Sequence, residues 1–314
     1  MSENKKTLEK ILVDYLDCPC RIFEPMKDDS VLMEAYTEAA ERGKDEGFVP
    51  VIVCCNEMEN LLETFLWNTN EEQPDDEEYS FDIEAVRAFR EEMCKSELPD
   101  GKAILKKWGR NQYEDDYDDD EDDENEDYED YDEDYDDDYD SDEDYDDYDD
   151  DDEDYDEGRE AYENWKRECL REIAEEEDDY MMGPDIGPDT TFSSYISYDG
   201  VNSTATVLLA EIPVANPWEI FAWLPFGGWN ECPNTEDLMA VSKYWFEAYG
   251  AVPATINHDV LEYMVPEPVS KKKAEKLAWE MMAFCPDTVL QGAGDVEILA
   301  DELTESTVWY FWWD

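Results

Sequence analysis

Leu8, Ile11, Leu12 and Leu16 recur at helical spacing in TLEKILVDYL, which predicts an amphipathic helix. A short β-like segment, CRIFEP, follows. SVLMEAYTEAAERG opens on Ser30, a capping residue, and closes on Gly43, the expected bounds of a second helix. FVPVIVCC is then a continuous apolar run, and a strand without polar alternates has to be buried on both faces. EMENLLETFLW and DIEAVRAFREEMC return to a helical period. Past the middle of the chain, Tyr162, Trp165, Cys169 and Ile173 form one stripe of a further helix. GPDIGPDTTFSS, with two Gly-Pro breaks, reads as loop.

The last third carries the densest pattern. TATVLLAEIPV reads as a strand, and TEDLMAVSKYWFEAYG as a helix with Leu238, Val241, Trp245 and Ala248 on one face and Gly250 as its stop. AVPATI and VLEYMV flank the turn Asn257-His258-Asp259 and predict a hairpin. SKKKAEKLAWEMMAF starts at Ser270 and buries Ala274, Leu277, Ala278, Met281 and Met282; DVEILADEL is another helix. TVWYFWWD is a terminal strand: Trp309, Phe311 and Trp313 face one way, Val308, Tyr310 and Trp312 the other. With both faces apolar, the expectation is a central strand sandwiched by helices. Strands alternating with helices in this way predict a mixed α/β fold, a single central sheet with flanking helices. One echo recurs within it: GKDEGFVPVIV and FEAYGAVPATI both run helix, Gly, x-Val-Pro, strand, which we read as a common connection rather than a duplication.

Charge changes this picture. From Glu114 to Glu157 the chain holds 34 of its 91 acids, with eight Tyr, Asn125 and Ser141. No helical or strand period exists there, like charges repel at every spacing, and no apolar face offsets chain entropy, so residues 111–157 are expected to be a disordered acidic insertion. It divides an α/β domain into residues 1–110 and 190–314, with a helix-and-loop connector over 158–189. The other 57 acids still outnumber 23 Lys and Arg, within a net charge of −68. Such a field repels phosphate backbones and anionic lipid, which excludes nucleic-acid and membrane-surface binding; basic proteins and, loosely, divalent cations are the partners it attracts. DEDYDEGREAYE (152–163) places Asp152, Asp154, Asp156 and Glu163 at calcium-loop positions. The required glycine is Gly158, one residue late, with Glu157 in its place, so a calcium hand is not expected.

The first residues do not read as a signal peptide, and no window approaches the roughly 18 apolar residues of a membrane span. Eight cysteines in such a chain read as reduced thiols, and the expected compartment is the cytoplasm. The CPC at 18–20 and the pair Cys54-Cys55 lack the Cys-x-x-Cys gap of zinc sites. Cys18, Cys232 and Cys285 precede prolines, more often a turn than a haem ligand. No phosphate-cradling loop is present either, so no metal and no cofactor are expected.

Two candidate sites remain. His258, the only histidine, has Asp259 and Glu262 nearby, an arrangement that suits an imidazole base oriented by a carboxylate. No nucleophile elbow accompanies it. The segment PWEIFAWLPFGGWNECPN reads as a loop carrying Trp218, Trp223, Phe226 and Trp229, too many aromatics for a loop to bury easily. These four are the expected binding surface.

PWEIFAWLPFGGWNECP, KYWFEAYGAVPATINHDVLEYMVPEPV, FCPD and the ending STVWYFWWD, in that order, resemble a bacterial domain family of unknown function marked by a Cys-Pro-Asp and a Trp-rich terminus. The resemblance covers about the last 110 residues, and it implies a compact α/β unit of bacterial cytosol without an established activity. The acidic tract lies outside the family pattern. The function expected is a non-catalytic, acidic cytosolic protein-binding module; the alternative is a small hydrolase-like enzyme using His258, Asp259 and Glu262.

Overall fold

The computed structural model describes residues 7–69, 79–118, 164–167, 169, 187–197 and 203–314, with backbone alone for 110–118. The acidic tract beyond Asp118 and the calcium-like stretch at 152–163 lie outside the described residues, as do Tyr162 and Ile173 of the predicted stripe. Of that stripe, Trp165 and Cys169 are helical and buried.

A six-stranded mixed sheet organises the chain: β1 (Cys20–Phe23), β2 (Val49–Cys54), β3 (Val207–Ile212), β4 (Val252–Ile256), β5 (Val260–Met264) and β6 (Val308–Trp312), in the spatial order β1-β3-β2-β4-β5-β6. All pairings are antiparallel except β2 with β4. Strands from the two ends of the sequence interleave, since β3 lies between β1 and β2 and aligns Ala210 with Cys20 and Val51 alike.

Helices α1 (Leu8–Leu16), α2 (Ser30–Glu46), α3 (Met58–Thr69), α4 (Ile83–Lys95) and α5 (Gly101–Asp118) belong to the N-terminal part. A 3-10 turn (Pro217–Ala222), α6 (Thr235–Tyr249), α7 (Lys271–Phe284), a π-helical turn (Thr288–Ala293) and α8 (Val296–Leu303) belong to the C-terminal part. The sheet divides two apolar layers. Val51, Val53, Leu208, Ala210, Leu261, Tyr263, Trp309 and Phe311 face the larger core, which α1, α3, α6 and α7 complete. Ile52, Cys54, Val207, Leu209 and Val308 face a smaller one under α2, closed by Phe192 and Tyr195. The apolar run of β2 is therefore buried on both faces, as its lack of alternation requires.

Three local expectations are corrected, and one helix that the pattern did not announce is added. Gly43 does not end α2, which runs on to Glu46 and stops at the left-handed Gly47 (φ 78°). Gly43 is instead a close-packing point, where a Cβ would lie 2.3 Å from the Phe48 carbonyl oxygen. The segment after Asn216 is not all loop, because it opens as a 3-10 turn. Helix α5, which no stripe announced, begins where Gly101 lets it press on α6: a Cβ there would sit 2.3 Å from the Ala240 carbonyl oxygen. Finally, among the described residues β6 is an edge strand paired with β5 alone, and only its Trp309–Phe311–Trp313 face is fully buried; Tyr310 and Trp312 on the other face are half-buried.

The echoed sequences occupy equivalent places. Each helix ends on a left-handed glycine, Gly47 or Gly250, and feeds one member of the parallel pair β2–β4, aligned Ile52 with Thr255 and Val53 with Ile256.

Candidate functional site

The β4–β5 turn holds His258, but not the three-residue group expected there. The His258 ring lies between two carboxylates, with Nε2 3.2 Å from Glu57 Oε2 and Nδ1 3.1 Å from Asp259 Oδ1. Asp259 uses its second oxygen to accept the Trp312 indole N–H at 3.0 Å, and burial pushes its carboxyl above the ordinary value. Glu262 is elsewhere. It sits on the smaller-core face of β5, fully buried, where it accepts from the Ser193 backbone N–H (2.8 Å) and hydroxyl (3.2 Å), the Ser194 N–H (3.3 Å) and the Thr255 hydroxyl (2.6 Å). A carboxylate with four donors is a structural tie, not a free base. Cys54 feels both Asp259 and Glu262, yet burial first of all pushes its thiol up to about 11, the wrong direction for a nucleophile.

The four aromatics of the expected binding surface divide. Phe226 is a core residue in edge contact with Trp313 (5.6 Å between centroids). Its chain neighbours are stitched down: the Asn68 amide donates to the Pro225 and Gly227 carbonyls (2.7 and 2.8 Å), and the Trp229 indole donates to the Phe226 carbonyl (3.2 Å). Gly227 is buried against Pro233, whose carbonyl oxygen a Cβ would meet at 1.7 Å. Gly227 serves tight packing, while the exposed Gly228 beside it supplies a left-handed turn (φ 90°). Trp218 and Trp223, half-buried, do border open space.

That space is a groove between α4 and the segment 213–223, about 470 Å³ in volume, walled by Asp17, Arg87, Arg90, Cys94, Glu219 and Trp223 among others. A second groove of about 370 Å³ adjoins it, sharing Cys94 and Glu219 and reaching Trp218, Met239 and Lys243. Arg90 is the fixed point of the wall. It is 3 % exposed, and its guanidinium donates to the Tyr15 and Leu16 carbonyls (2.8 and 3.2 Å), satisfying the C-terminal carbonyls of α1. The Tyr15 and Trp223 rings lie 5.2 and 4.9 Å from it. Arg87 pairs with Asp17 (2.6 Å) and Glu84 (2.8 Å). Glu219 closes the capping box of the 3-10 turn, accepting from the Asn216 N–H (2.9 Å) and the Ala215 N–H (3.1 Å). Asp17, Glu91 and Glu97 stand exposed around the grooves, and Trp218 meets Phe246 in a tilted contact, 5.5 Å between ring centroids.

Sequence reasoning pointed to Trp218 and Trp223 but not to the wall opposite. Arg87, Arg90 and Cys94 come from the other half of the chain, where a helical stripe gives no sign of them. Asn216-Pro217-x-Glu219 could have been read, because an Asx cap, a proline at the first turn position and a glutamate two residues later spell a capping box. No group of three or more metal-ligating side chains occurs among the described residues.

Residues 208–314 match the family model described as a domain of unknown function (DUF4253). The match spans β3 to β6 and supplies the Trp218–Trp223 side of the grooves; the α4 side lies outside it. Neither the curated proteins nor the solved structures contain a match.

Proposed function

We propose that this chain is a non-catalytic, acidic protein-binding module of the cytoplasm whose partner carries a basic face. The observation that carries the reading is the pairing of Trp218 and Trp223, half-exposed beside two grooves, with a rim of exposed carboxylates on a chain of net charge −68. Tryptophan is the residue most often found anchoring protein interfaces, and the acids supply long-range attraction. The carboxylates of the acidic tract add to that attraction and hold divalent cations loosely. No disulfide joins any of the eight cysteines, which suits a reducing compartment. No helix among the described residues is long and apolar enough to cross a membrane. The hydrolase alternative at His258, Asp259 and Glu262 is not favoured, because Glu262 is tied to Ser193, Ser194 and Thr255.

The test is binding of a lysine-rich peptide carrying one leucine, measured by calorimetry. Between ~50 and ~300 mM salt the Debye length shrinks from roughly 14 to 6 Å, and affinity should fall steeply over that range. Trp218→Ala should weaken binding about tenfold at fixed salt, the ~1.4 kcal/mol expected of an interface anchor. An affinity independent of both salt and Trp218 would refute the reading.

A further inference from the structure

We infer that Cys18 and Cys20 form a redox-active dithiol that closes reversibly into a disulfide by exchange with low-molecular-weight disulfides. Their sulfurs lie 4.0 Å apart, facing each other across Pro19, and the Cys20 sulfur is also 3.4 Å from the Cys18 carbonyl oxygen. Both residues are partly exposed. The backbone on either side is fixed. Asp17 ends α1 in the left-handed conformation (φ 51°), and Arg90 holds the Tyr15 and Leu16 carbonyls just before it. The Pro19 carbonyl accepts the Glu211 N–H at 2.9 Å, and Cys20 enters β1 level with Ala210. Residues two apart in a strand point the same way, so the start of β1 and the turn at Pro19 together bring the thiols into contact. Closure to a disulfide's roughly 2.0 Å needs a movement of about 2 Å between the sulfurs.

Within the pair, Cys20 also differs chemically from five of the other thiols. The contact between the two sulfurs lowers the Cys20 thiol below its ordinary value against burial and the nearby Glu211, and with burial pushes Cys18 up. Cys54, Cys55, Cys94, Cys232 and Cys285 are all pushed up, first of all by burial. Cys20 is therefore the attacking sulfur and Cys18 the resolving one. The Cys20 thiolate attacks one sulfur of oxidised glutathione. A Cys20–glutathione bond forms, the glutathione S–S bond breaks, and one glutathione leaves as thiolate. That thiolate takes up the Cys18 proton. Cys18 then attacks the Cys20 sulfur, and the second glutathione leaves and is protonated by water in exchange for the proton Cys20 had lost. Two protein thiols are oxidised by two electrons, and one disulfide is reduced to two thiols. A ring closed over a single intervening residue is strained and so readily reduced, which makes the bond reversible in a thiol-rich compartment.

The experiment equilibrates the full chain in graded mixtures of reduced and oxidised glutathione, alkylates the remaining thiols and maps tryptic peptides by mass. Lys10 and Arg21 bound a peptide, residues 11–21, that holds Cys18 and Cys20 and no other cysteine. As the mixture becomes more oxidising, this peptide should lose two hydrogens in place of two alkyl groups, while Cys54, Cys55, Cys94, Cys232 and Cys285 stay alkylated. Reduced glutathione should reverse the change. Cys18→Ser should trap glutathione on Cys20, whereas Cys20→Ser should leave Cys18 alkylated. A peptide that stays doubly alkylated under all mixtures would overturn the inference. So would a wild-type chain that accumulates the same glutathione adduct as Cys18→Ser without closing the ring.

Discussion

With four donors on its carboxylate, Glu262 is a strut between β5 and the loop at 192–195, and its neighbour His258 is a partly exposed turn residue. The two should respond oppositely to truncation. Glu262→Ala leaves buried donors unpaired and should lower stability by about 3 kcal/mol in urea unfolding, whereas His258→Ala should stay within about 1 kcal/mol. Comparable losses at both positions would mean that the turn is as structural as the strut. Asp189, beside this network, gives a pH signature. Burial, with the Glu262 charge adding to it, pushes its carboxyl up to about 6 from an ordinary 3.8. Between those values the folded chain keeps a proton the unfolded chain has lost, so this residue's contribution weakens as pH rises from about 4 to 6 and stays low above that. Asp189→Asn should remove the slope and add about 1 kcal/mol at pH 7, a figure discounted for the residue's partial exposure to solvent. A difference between mutant and parent that is flat from pH 4 to 7 would contradict it. None of this was visible in the sequence. Spacing grouped Glu262 with His258, but its true partners, Ser193 and Thr255, are set by strand alternation and by a loop far away in the chain.

Elements were more legible than sites. The hairpin β4–β5, the doubly buried β2 and the glycine-stopped α6 all announce themselves, because the pattern of one continuous stretch of chain is enough to define each. What failed needed two elements at once. The placement of β6 depends on whether another strand follows it, and none does among the described residues. Helix α5 packs on α6 through a close approach at Gly101, which no pattern within α5 itself announces. The edge strand is nonetheless indispensable. Trp309, Phe311 and Trp313 are each at most 2 % exposed, and an aromatic burying ~150–250 Å² at about 25 cal/mol/Å² contributes at most roughly 4–6 kcal/mol. Three of them match or exceed the ~5–15 kcal/mol by which a domain is stable. A chain ending at Val308 should therefore lose its near-ultraviolet circular dichroism and cooperative melting. Phe311→Asp should do the same, while Trp312→Asp, on the half-covered face, should still fold. A truncated chain that melts cooperatively would show that β6 is dispensable.

At the scale of the whole molecule, mixed α/β class and a single sheet could be read from alternating patterns, but strand order could not, because no local pattern tells β3 to enter between β1 and β2. That threading has a consequence for how the molecule comes into being. During synthesis β1 and β2 emerge long before the strand that joins them, so their pairing into the sheet waits for residue 207 and brings together residues as remote as Cys54 and Val207. Closing so long a loop costs only about 0.6 kcal/mol more per doubling of its length, so the acidic tract burdens the equilibrium little. The reliance on remote pairing is what slows folding. Meanwhile the waiting chain presents an unpaired β2 edge, and the like charge on every copy discourages two nascent molecules from pairing through it. The chain is in effect a natural split protein. Residues 1–118 alone should show no cooperative transition, and mixing them with separately made 164–314 should restore the fixed-tryptophan signal with second-order kinetics. A fragment 1–118 that melts cooperatively by itself would mean that β1 and β2 do not need the strand between them.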